Sequence, residues 1–292
     1  MEQDRRHYLV EPAWLAEHLH DPDVRVVDMR GYVRTVNQPD GRQEAQYVGA
    51  PEEYAQDHIP GAVYVDWSQD IVDLDDPVEA QVAPPARFAE AMSRVGIGDQ
   101  TLVVAYDTHP ASQFATRLWW ALRYYGHDQV VVLNGGLGRW QREQLPMETT
   151  VPTYARATFT PRVQPQLRAT AEEVVSLIGK SGVTLLDARD AGQYSGTVVR
   201  GEGRPGHVPG AVNIPREELI AADGTFRSND ELRAIFASAH VVPDERIVAY
   251  CNGGVAATTV LFSLAMLGYP QFTNYDGSWN EWGVRQDLPT EV

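Results

Sequence analysis

The chain has 292 residues, of which 43% are hydrophobic and 22% charged. This composition is typical of globular proteins, and the length favours two domains. Its formal charge of −16 would repel polyanions, which argues against nucleic acid or an anionic membrane as a partner. The single cysteine, Cys251, cannot form an internal disulfide, which fits a reducing compartment.

The amino-terminal sequence carries neither a continuous apolar stretch nor a small-residue cleavage site, so no secretory signal is predicted. The sequence also has no run of about 18 apolar residues, which argues against a membrane-spanning helix. We therefore expect a soluble, cytoplasmic protein.

Several segments of the first half recur in the second half in the same order. Residues 26–30 (VVDMR) correspond to 185–189 (LLDAR), 58–63 (HIPGAV) to 207–212 (HVPGAV), and 103–107 (VVAYD) to 247–251 (IVAYC). The period is too long for a solenoid, so each copy should be a domain with its own core. We predict an amino-terminal domain over residues 1–150, a proline-bearing linker over 151–168, and a catalytic domain over 169–292.

The predicted elements of the second copy alternate between helix and strand. In chain order they are a helix that begins at Thr170, a strand over 183–186, a helix over 230–239, a strand over 246–250 and a helix over 256–267. Glu173 follows Thr170 by three positions, which is a capping-box pattern. Such alternation is typical of an α/β fold, here two tandem domains with a mostly parallel central sheet and helices on both faces.

The segment after the last predicted strand has the features of an anion site. Cys251 ends that strand, and residues 252–256 (NGGVA) lead into the following helix. Glycines let successive N–H groups turn towards one point, and a helix amino terminus adds positive potential. Both effects favour a thiolate or a persulfide, and neither requires a metal or a cofactor. The alternative is that Cys251 is a small buried hydrophobic residue.

The whole chain resembles the tandem-domain rhodaneses, the thiosulfate and 3-mercaptopyruvate sulfurtransferases. Besides the repeated segments, the resemblance is carried by residues 117–120 (RLWW), 133–136 (LNGG), 251–256 (CNGGVA) and 275–279 (YDGSW). It implies that the first domain, with Asp107 at the cysteine position, is inactive but shapes the cleft between the domains. It also implies a ping-pong reaction in which a small anionic donor loads Cys251 with sulfur and a thiophilic acceptor, cyanide or a thiol, removes it.

The resemblance also implies residues that contact the donor. These are Arg189, the loop residues Asn252, Gly253, Gly254, Val255 and Ala256, and His58 of the first domain. A guanidinium such as that of Arg189 can bind a sulfonate or carboxylate through two parallel hydrogen bonds, although an ion pair with Asp187 is the alternative. For His58, as for His207, the alternative is a ring that closes a turn.

The sequence departs from both kinds of relative. Thiosulfate-preferring relatives carry basic residues at the positions of Asn252 and Gly253, and mercaptopyruvate-type loops usually contain a Ser or Thr that is absent here. Where mercaptopyruvate-type relatives often have a second arginine, this sequence has Gln193. Arg200 or Arg204 could take the place of that arginine. The preferred donor therefore stays open.

Two other functions are compatible with a lone cysteine in such a loop. A cysteine phosphatase needs an arginine six residues after the cysteine, where this sequence has Ala257, so this class is disfavoured. The remaining alternative is a binding module or sulfur relay that serves a protein acceptor.

Overall fold

The computed structural model describes residues 5–292. Residues 5–142 form strands β1 (Leu9–Val10), β2 (Val24–Asp28), β3 (Gly31–Asn37), β4 (Gln43–Gly49), β5 (Val63–Tyr64), β6 (Leu102–Tyr106) and β7 (Val130–Leu133). The helices of this part are α1 (Pro12–His18), α2 (Pro51–Gln56), α3 (Pro85–Arg94), α4 (Gln113–Tyr124) and α5 (Gly136–Arg142). A parallel sheet has the order β1-β7-β6-β2-β5, and β3 and β4 form a separate antiparallel hairpin.

The second half repeats this arrangement. Its strands are β8 (Arg168–Ala169), β9 (Val183–Asp187), β10 (Val212–Asn213), β11 (Arg246–Tyr250) and β12 (Phe272–Tyr275). Its helices are α6 (Ala171–Leu177), α7 (Ala191–Tyr194), α8 (Asn229–Ser238), α9 (Ala257–Met266) and α10 (Ser278–Trp282), with a short 3₁₀ helix at Arg216–Leu219. The parallel order β8-β12-β11-β9-β10 matches that of the first sheet strand for strand, so the α/β prediction of two tandem domains is confirmed.

Helix starts follow local sequence signals. The Thr170 hydroxyl accepts from the Glu173 amide at the start of α6, as the capping pattern predicts. Helix α8 begins with a full capping box: the Ser228 hydroxyl accepts from the Glu231 amide, and the Glu231 carboxylate accepts from the Ser228 amide. Helices α8 and α9 begin and end within one residue of the bounds predicted from spacing.

Alternation along β11 determines which way the site faces. Successive side chains of a strand point to opposite faces of the sheet. Ile247, Ala249 and Cys251 pack in the cluster that joins the two domains, while Val248 and Tyr250 pack on the outer face. The cysteine therefore lies on the side of the sheet that faces the first domain.

Helices α4 and α9 form the centre of the contact between the domains. All ten residues of α9 are buried, and Trp119 of α4 packs edge-on against Phe262 with ring centroids 5.0 Å apart. The Thr116 hydroxyl lies 2.9 Å from that of Thr258. The two halves thus share one continuous apolar core.

The β3–β4 hairpin reaches from the first domain to the second. The Gln43 amide donates to the Val199 carbonyl at 2.9 Å, and the Gly201 amide donates back to Gln43 at 2.7 Å. Arg42 adds hydrogen bonds to the carbonyls of Gly201 and Gly203. Among residues 5–292, no helix combines the length and apolar character needed to cross a bilayer.

Candidate active site

Cys251 lies between the end of β11 and the start of α9, at the carboxyl edge of the second sheet. Its side chain is only 2% exposed, yet it lines a cavity of about 370 Å³ between the domains. The hairpin of the first domain contributes Tyr32 and Tyr47 to the lining. The thiol is therefore shielded from bulk water but can be reached by a small molecule inside this cavity.

Gly254 gives the cysteine loop its shape. Its φ is +67°, in the left-handed region that favours glycine. A Cβ there would lie 2.6 Å from a carboxylate oxygen of Asp276 and 2.8 Å from the Asp276 carbonyl. Any side chain would therefore push the loop away from the segment that supports it.

Ser278 holds the cysteine loop through hydrogen bonds to two of its amides. Its hydroxyl accepts hydrogen bonds from the amides of Cys251 (3.1 Å) and Gly254 (3.0 Å), and it donates to the Tyr275 carbonyl at 2.7 Å. Sequence reasoning did not assign this residue a role, although the YDGSW segment contains it. The segment is visible in the sequence, but the contact between Ser278 and the cysteine loop depends on the tertiary fold.

Four loop amides remain open. Within residues 5–292, the N–H groups of Asn252, Gly253, Val255 and Ala256 donate to no protein acceptor, and these residues line the cavity beside Cys251. The amide of Gly254 is instead committed to Ser278, and Gly254 does not line the cavity. The open donors can bind an anion that enters the cavity.

In the equivalent loop of the first domain, a carboxyl group of the protein occupies the loop amides. The buried Asp107 carboxylate accepts from the amides of Phe114 and Ala115, both at 2.8 Å, and from that of His109 at 2.9 Å. Burial raises the pKa of this carboxyl to about 7, against the opposing effect of these N–H donors. Asp107 thus fills with its own side chain the kind of site that Cys251 leaves open.

Arg189 is held by its neighbours in the resting structure. Its guanidinium pairs with Asp187 at 2.6 Å, donates to the Gly206 carbonyl at 2.8 Å and lies 4.2 Å from the centre of the Trp279 ring. It does not line the Cys251 cavity. This is the ion pair that the sequence allowed as the alternative, and donor contact by Arg189 stays a prediction.

His58 closes a turn in the first domain. Its Nδ1 lies 2.8 Å from the Tyr54 carbonyl and its Nε2 lies 3.1 Å from that of Thr150, while the ring stacks on Tyr54. His207 has the same arrangement with Tyr194 in the second domain. Neither ring lines the Cys251 cavity, so a catalytic contribution of His58 also stays a prediction.

Sequence comparison identifies the family. The family described as "Rhodanese-like domain" matches residues 11–143 and again residues 170–284. The chain belongs to the rhodanese family.

Its relatives include sulfurtransferases of both expected kinds. The 3-mercaptopyruvate sulfurtransferase of Escherichia coli K12 is 36% identical, over 97% of this chain and 98% of its own. The thiosulfate sulfurtransferase of Rattus norvegicus is 33% identical, over 97% and 94%. The "Sulfur carrier protein TtuD" of Thermus thermophilus is 35% identical, over 96% and 95%. These relatives support sulfurtransferase activity for this rhodanese without separating the donors.

A solved structure shows the same fold. The crystal structure of SseA from Escherichia coli, described with the rhodanese fold of 3-mercaptopyruvate sulfotransferases, superposes with a TM-score of 0.81 at 33% identity. The match covers 93% of this chain and 98% of that one. The tandem architecture described above is thus that of a known sulfurtransferase.

Of the two arginines that could take the place of the arginine absent at position 193, only Arg200 lines the cavity of this rhodanese. Arg200 lines the cavity, with its guanidinium 5.5 Å from the centre of the Tyr47 ring. Arg204 instead donates to carbonyls near the carboxyl terminus, including those of Gly283 and Leu288, and lies outside the cavity. Gln193 itself accepts from the Asn252 side chain at 2.9 Å.

Proposed function

We propose that this rhodanese moves sulfane sulfur from thiosulfate or 3-mercaptopyruvate to cyanide or a thiol, through a persulfide on Cys251. The observation that carries the proposal is the placement of the only cysteine beside four open amides in a cavity of small-molecule size. The single cysteine stays reduced most easily in the cytoplasm, which is where we place the activity.

In the first half-reaction, the Cys251 thiolate attacks the outer sulfur of thiosulfate. The bond between that sulfur and the sulfonate sulfur breaks, and sulfite leaves with the bonding electrons. With 3-mercaptopyruvate, the carbon–sulfur bond breaks and the carbon takes up the thiol proton, so pyruvate leaves. The product on the protein is in each case a persulfide anion.

In the second half-reaction, cyanide attacks the outer sulfur of the persulfide. The sulfur–sulfur bond breaks, thiocyanate leaves, and the bonding electrons return to Cys251 as a thiolate. The open amides of Asn252, Gly253, Val255 and Ala256 stabilise the negative sulfur between the two steps. Arg200 adds positive charge at the cavity, which attracts an anionic donor to a protein that is acidic overall.

A second candidate is sulfur delivery to a protein acceptor. It is favoured by the similarity to the Thermus protein named as a sulfur carrier. The same Cys251 persulfide would serve both functions, which differ in whether its exchange partners are small molecules or other proteins. A purified protein that takes up sulfur only from the persulfide of another protein, and not from small donors, would favour this candidate.

The test is the mass of the intact protein after incubation with each donor and desalting. We expect an increase of about 32 Da, one sulfur atom, which disappears on addition of cyanide as thiocyanate forms. Cys251→Ser should show no increase under the same conditions. Failure of both small donors to change the mass of the wild-type protein would contradict the proposal.

A further inference from the structure

Two cavity-lining side chains, one from each domain, are not used by the mechanism above. His109 follows β6 in the cysteine-less domain, and Arg216 begins the short 3₁₀ helix of the second domain. Both line the cavity that holds Cys251.

The hydrogen bonding of His109 determines where its proton lies. Its Nδ1 accepts from the Ala111 amide at 3.0 Å. A neutral imidazole carries one N–H, so the proton is on Nε2. Burial, with a further effect of Arg216, lowers the pKa of His109 to about 4, which keeps the ring neutral near pH 7. Within residues 5–292, Nε2 has no hydrogen-bond partner, so it is an open donor.

Arg216 is a cation with few partners. Its guanidinium makes one ion pair, at 2.8 Å, with Glu217, whose side chain is largely exposed. Its Nε is buried and has no hydrogen-bond partner in the described part of the chain. An exposed ion pair holds a side chain weakly, while an unsatisfied buried N–H is costly. The guanidinium is therefore free to turn towards a ligand that would satisfy it.

Apart from Cys251 itself, the charges on the described lining of the cavity are two arginines and one aspartate. They are Arg200, Arg216 and Asp190. The Asp190 carboxylate already accepts from the Gln193 amide as the cap of α7. An excess of arginine on this lining, in a chain of formal charge −16, indicates an anionic ligand.

We infer that His109 and Arg216 form a donor-anion subsite shared by the two domains. The Nε2–H of His109 and the guanidinium of Arg216 bind the sulfonate or carboxylate end of the donor while its transferable sulfur lies at Cys251. This inference deepens the proposed function and rests on it for the identity of the ligand. The cysteine-less domain then contributes directly to donor recognition.

Binding can be tested without sulfur transfer. In full-length Cys251→Ser protein labelled with ¹⁵N-histidine, methanesulfonate serves as a sulfonate that has no sulfur to give. We expect the Nε2 resonance of His109 to shift on titration, and Arg216→Gln to weaken the Kd about tenfold or more, the effect of losing a hydrogen bond to a charged group. Arg216→Lys should recover part of the affinity. Arg156→Gln, which removes an exposed arginine paired with Glu90, should leave the Kd unchanged.

Kinetics on the protein with Cys251 present supply the second measurement. In His109→Gln and Arg216→Gln, the KM for 3-mercaptopyruvate should rise about tenfold while kcat changes much less, because its carboxylate lies away from the bond that breaks. With thiosulfate, whose sulfonate end leaves as sulfite, kcat/KM should fall about tenfold and kcat should fall with it. An unchanged Kd in Arg216→Gln together with unchanged KM and kcat/KM in both variants, with persulfide still forming in the wild type, would overturn the subsite alone. Absence of persulfide in the wild type would instead overturn the proposed function.

Discussion

The Arg117 guanidinium, on helix α4 of the first domain, donates a 3.1 Å hydrogen bond to the carbonyl of Gly254 in the cysteine loop of the second domain. The same side chain pairs with the fully buried Asp276 at 2.5 Å. The Asn274 side chain donates to the same Gly254 carbonyl at 3.0 Å. The domain that lacks a cysteine thus holds the loop of the domain that has one.

Arg117→Met should destabilise the protein severely, because it leaves Asp276 buried with only the more distant Arg168 as a cationic partner. Loss of one partner of a buried ion pair typically costs about 3–5 kcal/mol. Thermal unfolding followed by circular dichroism measures the effect. Arg156→Gln, on the surface, is the control, and equal melting temperatures for the two variants would contradict the prediction.

Ser278→Ala should slow persulfide formation without unfolding the protein. The amides of Cys251 and Gly254 would lose their shared acceptor, at a cost of about 1–3 kcal/mol for each donor left buried and unsatisfied. Because this cost falls on the loop geometry that holds the reacting sulfur, the rate of the mass increase with thiosulfate should fall about tenfold or more. Ser238→Ala, at the exposed end of α8, is the matched control. A rate of persulfide formation in Ser278→Ala equal to that of the wild type would show that the hydrogen bonds to Ser278 are dispensable.

Gly254→Ala should abolish sulfur loading. The new Cβ would meet Asp276 within 2.6 Å, so the loop has to move. Gly224→Ala separates this contact from backbone strain, because Gly224 also has a positive φ, +82°, but a Cβ there meets nothing within 4 Å. We expect the control to load normally at a small cost in stability, about 1 kcal/mol. Normal loading by Gly254→Ala would refute the role assigned to this glycine.

The pKa of His109 predicts a pH dependence of stability. Its pKa is lowered from 6.5 to about 4 in the folded protein. Between these values the unfolded chain binds a proton that the folded protein does not, so stability falls as the pH falls from about 6.5 to about 4. In His109→Gln this contribution is absent. The melting temperature of His109→Gln should therefore drop less than that of the wild type between about pH 7 and about pH 4.5. Parallel plots of melting temperature against pH for the two proteins would contradict the lowered pKa of His109.

The repeat and the cysteine loop could be predicted because their signals are local. Each of these signals is a short contiguous stretch: the apolar runs that become β9 and β11, and the glycine pair between β11 and α9. The family and the fold follow from them, and the comparisons bear both out.

Other parts of the site could not be predicted because their signals are not local. The hairpin residues Gly31–Asn37 and Gln43–Gly49 are mostly half-buried or exposed, and their strands pair with each other and with residues 199–201 of the other domain. The cavity positions of His109 and Arg216 likewise depend on how the two domains meet. The Arg189 and His58 side chains are bonded to protein groups in this structure, and contact of either residue with the donor stays a prediction.

The complete burial of α9 has a consequence for any attempt to separate the halves. Cutting the chain in the segment 151–168 and discarding the first part would strip Trp119 from Phe262 and expose the apolar surface of that helix to water. Such a fragment would aggregate rather than serve as a minimal enzyme. The first half, which has no cysteine, therefore supplies the apolar surface that covers α9.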